Sequence, residues 1–144
     1  MKDKFEQFQA KYPNLFREYP RSGFDLRPGW ETLVHCLCHV LECEIKRLPE
    51  EVRADVQCAQ VKEKFGGLRF YMTSQSPAMD GAISVAESMS FHLCETCGKP
   101  GKPRQGGWIL TLCDEHHEEN QRVRQIAHQK WVAEHPEVKD DEDE

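Results

Sequence analysis

The chain has 144 residues, room for one modest core or a core with a small appendage, and a mean hydropathy of -0.73 marks a heavily polar surface. No apolar run approaches the roughly 18–20 residues that cross a bilayer, and Met1-Lys2-Asp3-Lys4-Phe5 lacks the apolar stretch of a secretory signal, so a soluble, cytoplasmic protein is expected. The net charge of -6 is confined to one end: residues 134–144 hold seven acids against Lys139 alone, leaving 18 acids and 18 bases in the first 133 residues, which excludes a strongly basic body of the kind that binds nucleic acid non-specifically.

Phe5, Phe8 and Tyr12 recur at helical spacing and predict a short helix ending near Pro13. Leu15, Phe16 and Tyr19, interrupted by Pro13, Pro20 and Pro28, predict an arm of loop and short turns wrapped on the core. From Trp30 the residues Leu33, Val34, Leu37, Cys38, Leu41, Ile45 and Leu48 form one apolar stripe, the mark of the main core helix, which Pro49 stops. After Asp55 the period shortens. Val56 and Cys58, then Leu68, Phe70 and Met72, alternate with polar neighbours and predict strands over about 55–64 and 68–74, joined by Gly66-Gly67 as a two-residue turn. Ser76 reads as an N-cap before Pro77 at the first helical position, and Met79, Ala82, Ile83, Ala86, Met89 and Leu93 predict a helix over 77–93 that delivers the chain to Cys94.

Seven cysteines form an odd set, and in a reducing compartment clustered cysteines point to metal rather than disulfides. Cys94-x2-Cys97, fifteen residues, then Cys113-x2-His116 supply two close ligand pairs, as a tetrahedral zinc site requires. Gly98 permits the tight turn in which backbone amides point at thiolate sulfur. Gly101, Gly106 and Gly107 suit a loop, 108–112 reads as a strand, and the i, i+3 spacing puts Cys113 and His116 on one face at a helix start. Together these resemble a treble-clef zinc finger with one structural Zn2+. His117 is an alternative fourth ligand and His92 a weaker one. Treble clefs also underlie HNH nucleases, which place a catalytic histidine on the strand before the helix; 108–112 carries neither histidine nor acid. Four protein ligands leave no open position for an activated water, so a metal-dependent nuclease is disfavoured and no catalytic residue is assigned.

Three other groups are candidates. His35, His39 and Cys43, with Cys36 beside them, lie four apart on the main helix and could hold a second metal, whereas Cys38 and Cys58 read as plain core. The hairpin carries Lys62, Lys64 and Arg69 among Phe65, Phe70 and Tyr71, and the loop 99–104 carries Lys99, Lys102 and Arg104. These six bases are the candidate contacts to a partner protein or, in the alternative reading, to nucleic acid. The Lys-Phe-Gly-Gly stretch is not a phosphate loop, because the Gly-x4-Gly-Lys-Ser/Thr spacing is missing.

Three segments, Phe24-Asp25-Leu26-Arg27-Pro28-Gly29-Trp30, Val61-Lys62-Glu63-Lys64-Phe65-Gly66-Gly67-Leu68-Arg69-Phe70-Tyr71 and Cys94-Glu95-Thr96-Cys97-Gly98-Lys99-Pro100-Gly101, resemble a family of small, mostly uncharacterised proteins of bacteriophages and prophage-bearing bacteria. The resemblance covers most of residues 23–117 and implies a phage or accessory gene expressed in bacterial cytoplasm, whose product binds and redirects a host protein. The expected architecture is α+β: a core with its arm over 1–93, a treble-clef zinc module and C-terminal helix over 94–133, and an acidic, disordered tail over 134–144. The expected function is a non-enzymatic protein-interaction module.

Overall fold

The computed structural model describes residues 2–137. Helix α1 (Lys4–Lys11) starts at a capping box: the Asp3 carboxylate accepts from the Glu6 amide at 2.8 Å, and the Glu6 carboxylate accepts from the Asp3 amide at 3.1 Å. Its buried Phe5 and Phe8 meet Phe16 and Phe24 of the following arm in edge-to-face and tilted ring pairs. The arm is thus core rather than cover. A 3-10 turn at Pro28–Trp30 leads into α2 (Glu31–Arg47), which buries Leu33, Val34, Leu37, Cys38, Leu41 and Ile45, the stripe read from the sequence. Glu42 is also buried, and its charge is satisfied. Its carboxylate accepts from the Asn14 amide and side chain and from the Leu15 amide at 2.8–3.0 Å, which pins the chain leaving α1. A single turn, α3 (Glu50–Arg53), follows Pro49.

Strands β1 (Cys58–Lys64) and β2 (Gly67–Met72) form an antiparallel hairpin in which Val61 faces Phe70 and Lys62 faces Arg69. Both strands are shorter than the sequence suggested, and the turn sits one residue earlier. Phe65 and Gly66 occupy it, with φ of 53° and 81°, as a type I′ turn demands. Gly67 instead pairs with Lys64, and a Cβ there would lie 2.2 Å from the Phe91 ring. One glycine serves the turn and the other serves packing.

The arm pairs with the edge of β1, and α4 (Pro77–Ser90) bonds the start of β2. The arm lies along β1, with the Val61 amide donating to Gly23 and the Asp25 amide donating to Val61. At β2 the Leu68 amide donates to Ser90 Oγ at 2.8 Å, from the end of the helix. Ser76 caps α4 as expected, but the helix ends at Ser90 rather than at 93, because Leu93 forms a bridge with Pro100 and has left the helical path. Strands β3 (Lys102–Arg104) and β4 (Leu110–Leu112) make a second, smaller hairpin. The expected 99–104 loop is therefore a strand in its second half, and the expected strand 108–112 starts at Leu110.

These elements, up to Cys113, make one compact unit; α5 (Asp114–Glu134), polar and without a buried residue, begins a second. The fold is α+β, with a C-terminal helix after the Cys/His cluster. The helix itself runs to Glu134, and most of the acidic run, including 140–144, lies outside the described residues. Among the described residues no helix is long and apolar enough to cross a membrane.

Candidate metal centre

The site begins where α4 ends. The Cys94 amide donates to Lys99 at 2.7 Å and the Gly98 amide to Cys94 at 2.8 Å, closing a tight turn with Gly98 at φ 78°. A side chain at Gly98 would be strained by that backbone and would also meet the Gly29 carbonyl at 2.8 Å. The buried Cys94 thiol responds to its surroundings. Burial pushes its pKa up, but amides of Cys113, Cys97 and Thr96 aimed at the sulfur outweigh this and bring it down to about 6. A thiolate is thereby prepared for a cation. At Cys97 the Lys99 amide acts in the same sense, yet burial and the neighbouring Cys94 and Cys113 sulfurs leave the pKa raised. Several sulfurs held this close, with no counter-charge among themselves, repel as anions.

The ligand atoms of Cys94, Cys97, Cys113 and His116 all lie within 4.8 Å of one another. Cys97 Sγ and Cys113 Sγ are 3.9 Å apart. Two thiolates at ~2.3 Å from one tetrahedral ion stand ~3.8 Å apart, so the sulfur spacing fits a metal. Hairpin β3/β4 brings the chain back to Cys113, and the first turn of α5 presents His116 three residues later. His117 is not in the cluster, and its Nδ1 is buried without a hydrogen-bond partner among the described residues. His92 is exposed and contributes its carbonyl to the Gly101 amide.

The knuckle is bonded into the rest of its unit. The Gly29 amide donates to Glu95 at 2.8 Å, Trp30 Nε1 to Leu93 at 3.0 Å, and the Glu95 amide to Thr111 at 2.9 Å. Thr111 Oγ1 donates to Gly66, at the tip of the first hairpin. Arg27, half-buried, faces Glu63 at 3.4 Å and Glu95 at 3.8 Å. Burial raises the Glu95 pKa, and the Thr111 amide and Arg27 oppose the rise. Arg27, Glu95 and Thr111 were invisible as supporting residues in the sequence, because none shares a motif with its partners.

The remaining candidates disperse. His35 stacks on Phe8 at 4.0 Å, and its Nδ1 lies 2.9 Å from the Tyr12 hydroxyl. His39 and Cys43 make only a long, exposed 3.9 Å contact. Among the described residues, Cys94, Cys97, Cys113 and His116 are the one metal-like cluster. Cys38 and Cys58 are buried in the core as read. Arg69 is paired with Glu87 at 3.2 Å, and the Arg104 guanidinium donates twice to the Leu112 carbonyl. Lys64, Lys99 and Lys102 are exposed and Lys62 half-exposed.

Fold and site together define an α+β protein in which a Cys3His cluster that could hold a metal ion precedes a C-terminal helix. No protein-family model matches the chain, and searches of curated proteins and of solved structures return no match.

Proposed function

We propose that the cluster is a closed, structural zinc site and that the chain is a non-enzymatic module that docks on another protein, as a phage-encoded modulator of a bacterial host protein would. The observation that carries the zinc reading is the completeness of the donor set. Three thiols and an imidazole converge within 4.8 Å, soft donors in tetrahedral number that suit zinc and fill all four of its positions. A catalytic zinc keeps one position for water. The resemblance of three segments to small phage proteins supplies the biological setting.

A nucleic-acid role is the weaker reading. Arg69 and Arg104 are engaged within the fold, and the first 133 residues balance 18 acids with 18 bases. Phosphate neutralisation supplies most non-specific affinity. Metal analysis after dialysis is expected to give about one zinc per chain, with Cys97→Ser abolishing it. A pull-down from nuclease-treated bacterial lysate is expected to retain a protein partner. A folded, metal-free native chain would sink the zinc assignment, and retention that disappears with nuclease would sink the protein-docking one.

A further inference from the structure

The tips of the two hairpins stand side by side and enclose a cleft of about 410 Å³, walled by Glu63, Lys64 and Phe65 on one side and by Gly106, Gly107, Trp108 and Ile109 on the other. The tips cannot drift apart easily. Thr111 Oγ1 donates to the Gly66 carbonyl, Glu63 accepts from the Gly66 amide at 2.7 Å, and a Cβ on Gly66 would already sit 3.2 Å from Ile109.

Phe65 is out of place by every folding criterion. Its φ of 53° is a conformation that bulky side chains avoid, and asparagine is the ordinary residue at this position of a type I′ turn. No burial compensates, because Phe65 is 67% exposed. Across the cleft Trp108 is 63% exposed. Backbone strain retained without a packing return is a mark of functional sites. Two large exposed aromatics on facing walls have the composition of an interface hot spot.

Charge narrows the occupant. Neither Lys62 nor Lys64 has an ion-pair partner among the described residues, and their ammonium groups lie 5.8 Å from the Tyr71 ring centre and 5.5 Å from that of Phe65. The cleft thus presents aromatic walls with one such cation, Lys64, in its lining, while the acid that also lines it, Glu63, is engaged by the Gly66 amide and Arg27. We infer that it receives a segment of a partner protein carrying an aromatic or large aliphatic side chain next to a carboxylate, the apolar group between Phe65 and Trp108 and the acid at Lys64. This inference rests on the protein-docking reading and adds the place and the chemistry. A nucleobase could enter the same space, but single-strand binders need a basic groove that follows the backbone, and the balanced charge of this body does not supply one.

The test is to pan the zinc-loaded full chain against a displayed library of random 12-residue peptides, with dT12 and rU12 titrated by anisotropy as nucleic-acid probes. Enriched peptides are expected to place an aromatic or leucine side chain beside aspartate or glutamate. Trp108→Ala and Phe65→Asn should each weaken them at least tenfold, and Lys64→Glu should shift the preference away from acidic flanks. Phe65→Asn suits the turn, so its melting temperature should hold or rise while binding falls, which separates function from folding. Absence of the apolar–acidic pattern, indifference of the peptides to Trp108→Ala and Phe65→Asn, or tighter binding of dT12 or rU12 would each overturn the inference. A lysate partner whose retention ignores both substitutions would likewise overturn this site while leaving the docking function standing; no protein partner at all would overturn the function itself.

Discussion

Gly29 carries no chemistry, yet its missing side chain lets the arm touch the metal knuckle. A Cβ there would lie 1.9 Å from the Cys94 carbonyl oxygen and 2.7 Å from the Glu95 and Gly98 backbones. Backbone cannot swing aside as a flexible side chain can, so Gly29→Ala is expected to destabilise the protein by about 3 kcal/mol and to weaken metal binding, read by thermal melting and by zinc competition with a chromogenic chelator. His35 offers a pH signature at the same scale. Burial, then the Lys11 cation, lower its pKa from 6.5, with Glu31 opposing. The unfolded chain therefore takes up this proton more readily than the folded one. Its contribution to stability is intact above 6.5 and is lost as pH falls below that value toward the lowered folded pKa. His35→Gln should flatten the part of the stability–pH curve just below 6.5 relative to the parent chain, measured by urea midpoints. The roles of Cys38 and Cys58 as core were legible because each sits on an apolar period; Gly29 and Glu42 were not, because their roles are set by residues 66 and 28 positions away.

At the scale of elements, the sequence revealed those with a long apolar period and hid those without one. Helix α2 and the capped start of α4 lie where periodicity and Ser76-Pro77 placed them. Strand β3 has nothing periodic to read. Lys102 and Pro103 are exposed, Pro103 has no amide to donate, and three residues are too few to show alternation. The pair Gly66-Gly67 shows a different limit. Either order of turn and strand satisfies local rules, and the Phe91 ring, 24 residues downstream of Gly67, decides between them. Gly67→Ala should accordingly cost about 1–3 kcal/mol through crowding of that ring. Combining it with Phe91→Leu should cost less than the sum of the single changes. Additive urea-unfolding free energies would show that the ring is not what excludes a side chain here.

For the molecule as a whole, the question is whether a metal bound at the Cys/His cluster would hold only its own ligands or the unit that runs to Cys113. The clustering of Cys94, Cys97, Cys113 and His116 was legible from spacing alone; its attachment to the rest was not, since hydrogen bonds from Gly29, Trp30 and Thr111 obey no local pattern. Cys94, Leu112 and Cys113 form a small cluster apart from the core that buries Trp30, so those bonds are the links through which energy released on binding a metal would reach the arm and the first hairpin. A ligand that binds only the folded state and is present at a thousandfold excess over its dissociation constant stabilises by about 4 kcal/mol. For a unit of this size that corresponds to a shift of roughly 10–20 °C in melting temperature. Trp108→Phe and Trp131→Phe leave Trp30 as the single tryptophan, and its buried indole then reports the core rather than the site. Chelation at pH 7 is expected to lower the melting temperature seen by Trp30 by that amount, in one transition that coincides with the loss of helical circular dichroism from the core. If Trp30 melts at the same temperature with and without metal, the knuckle is an independent appendage, and the hydrogen bonds from Gly29 and Trp30 transmit none of its binding energy.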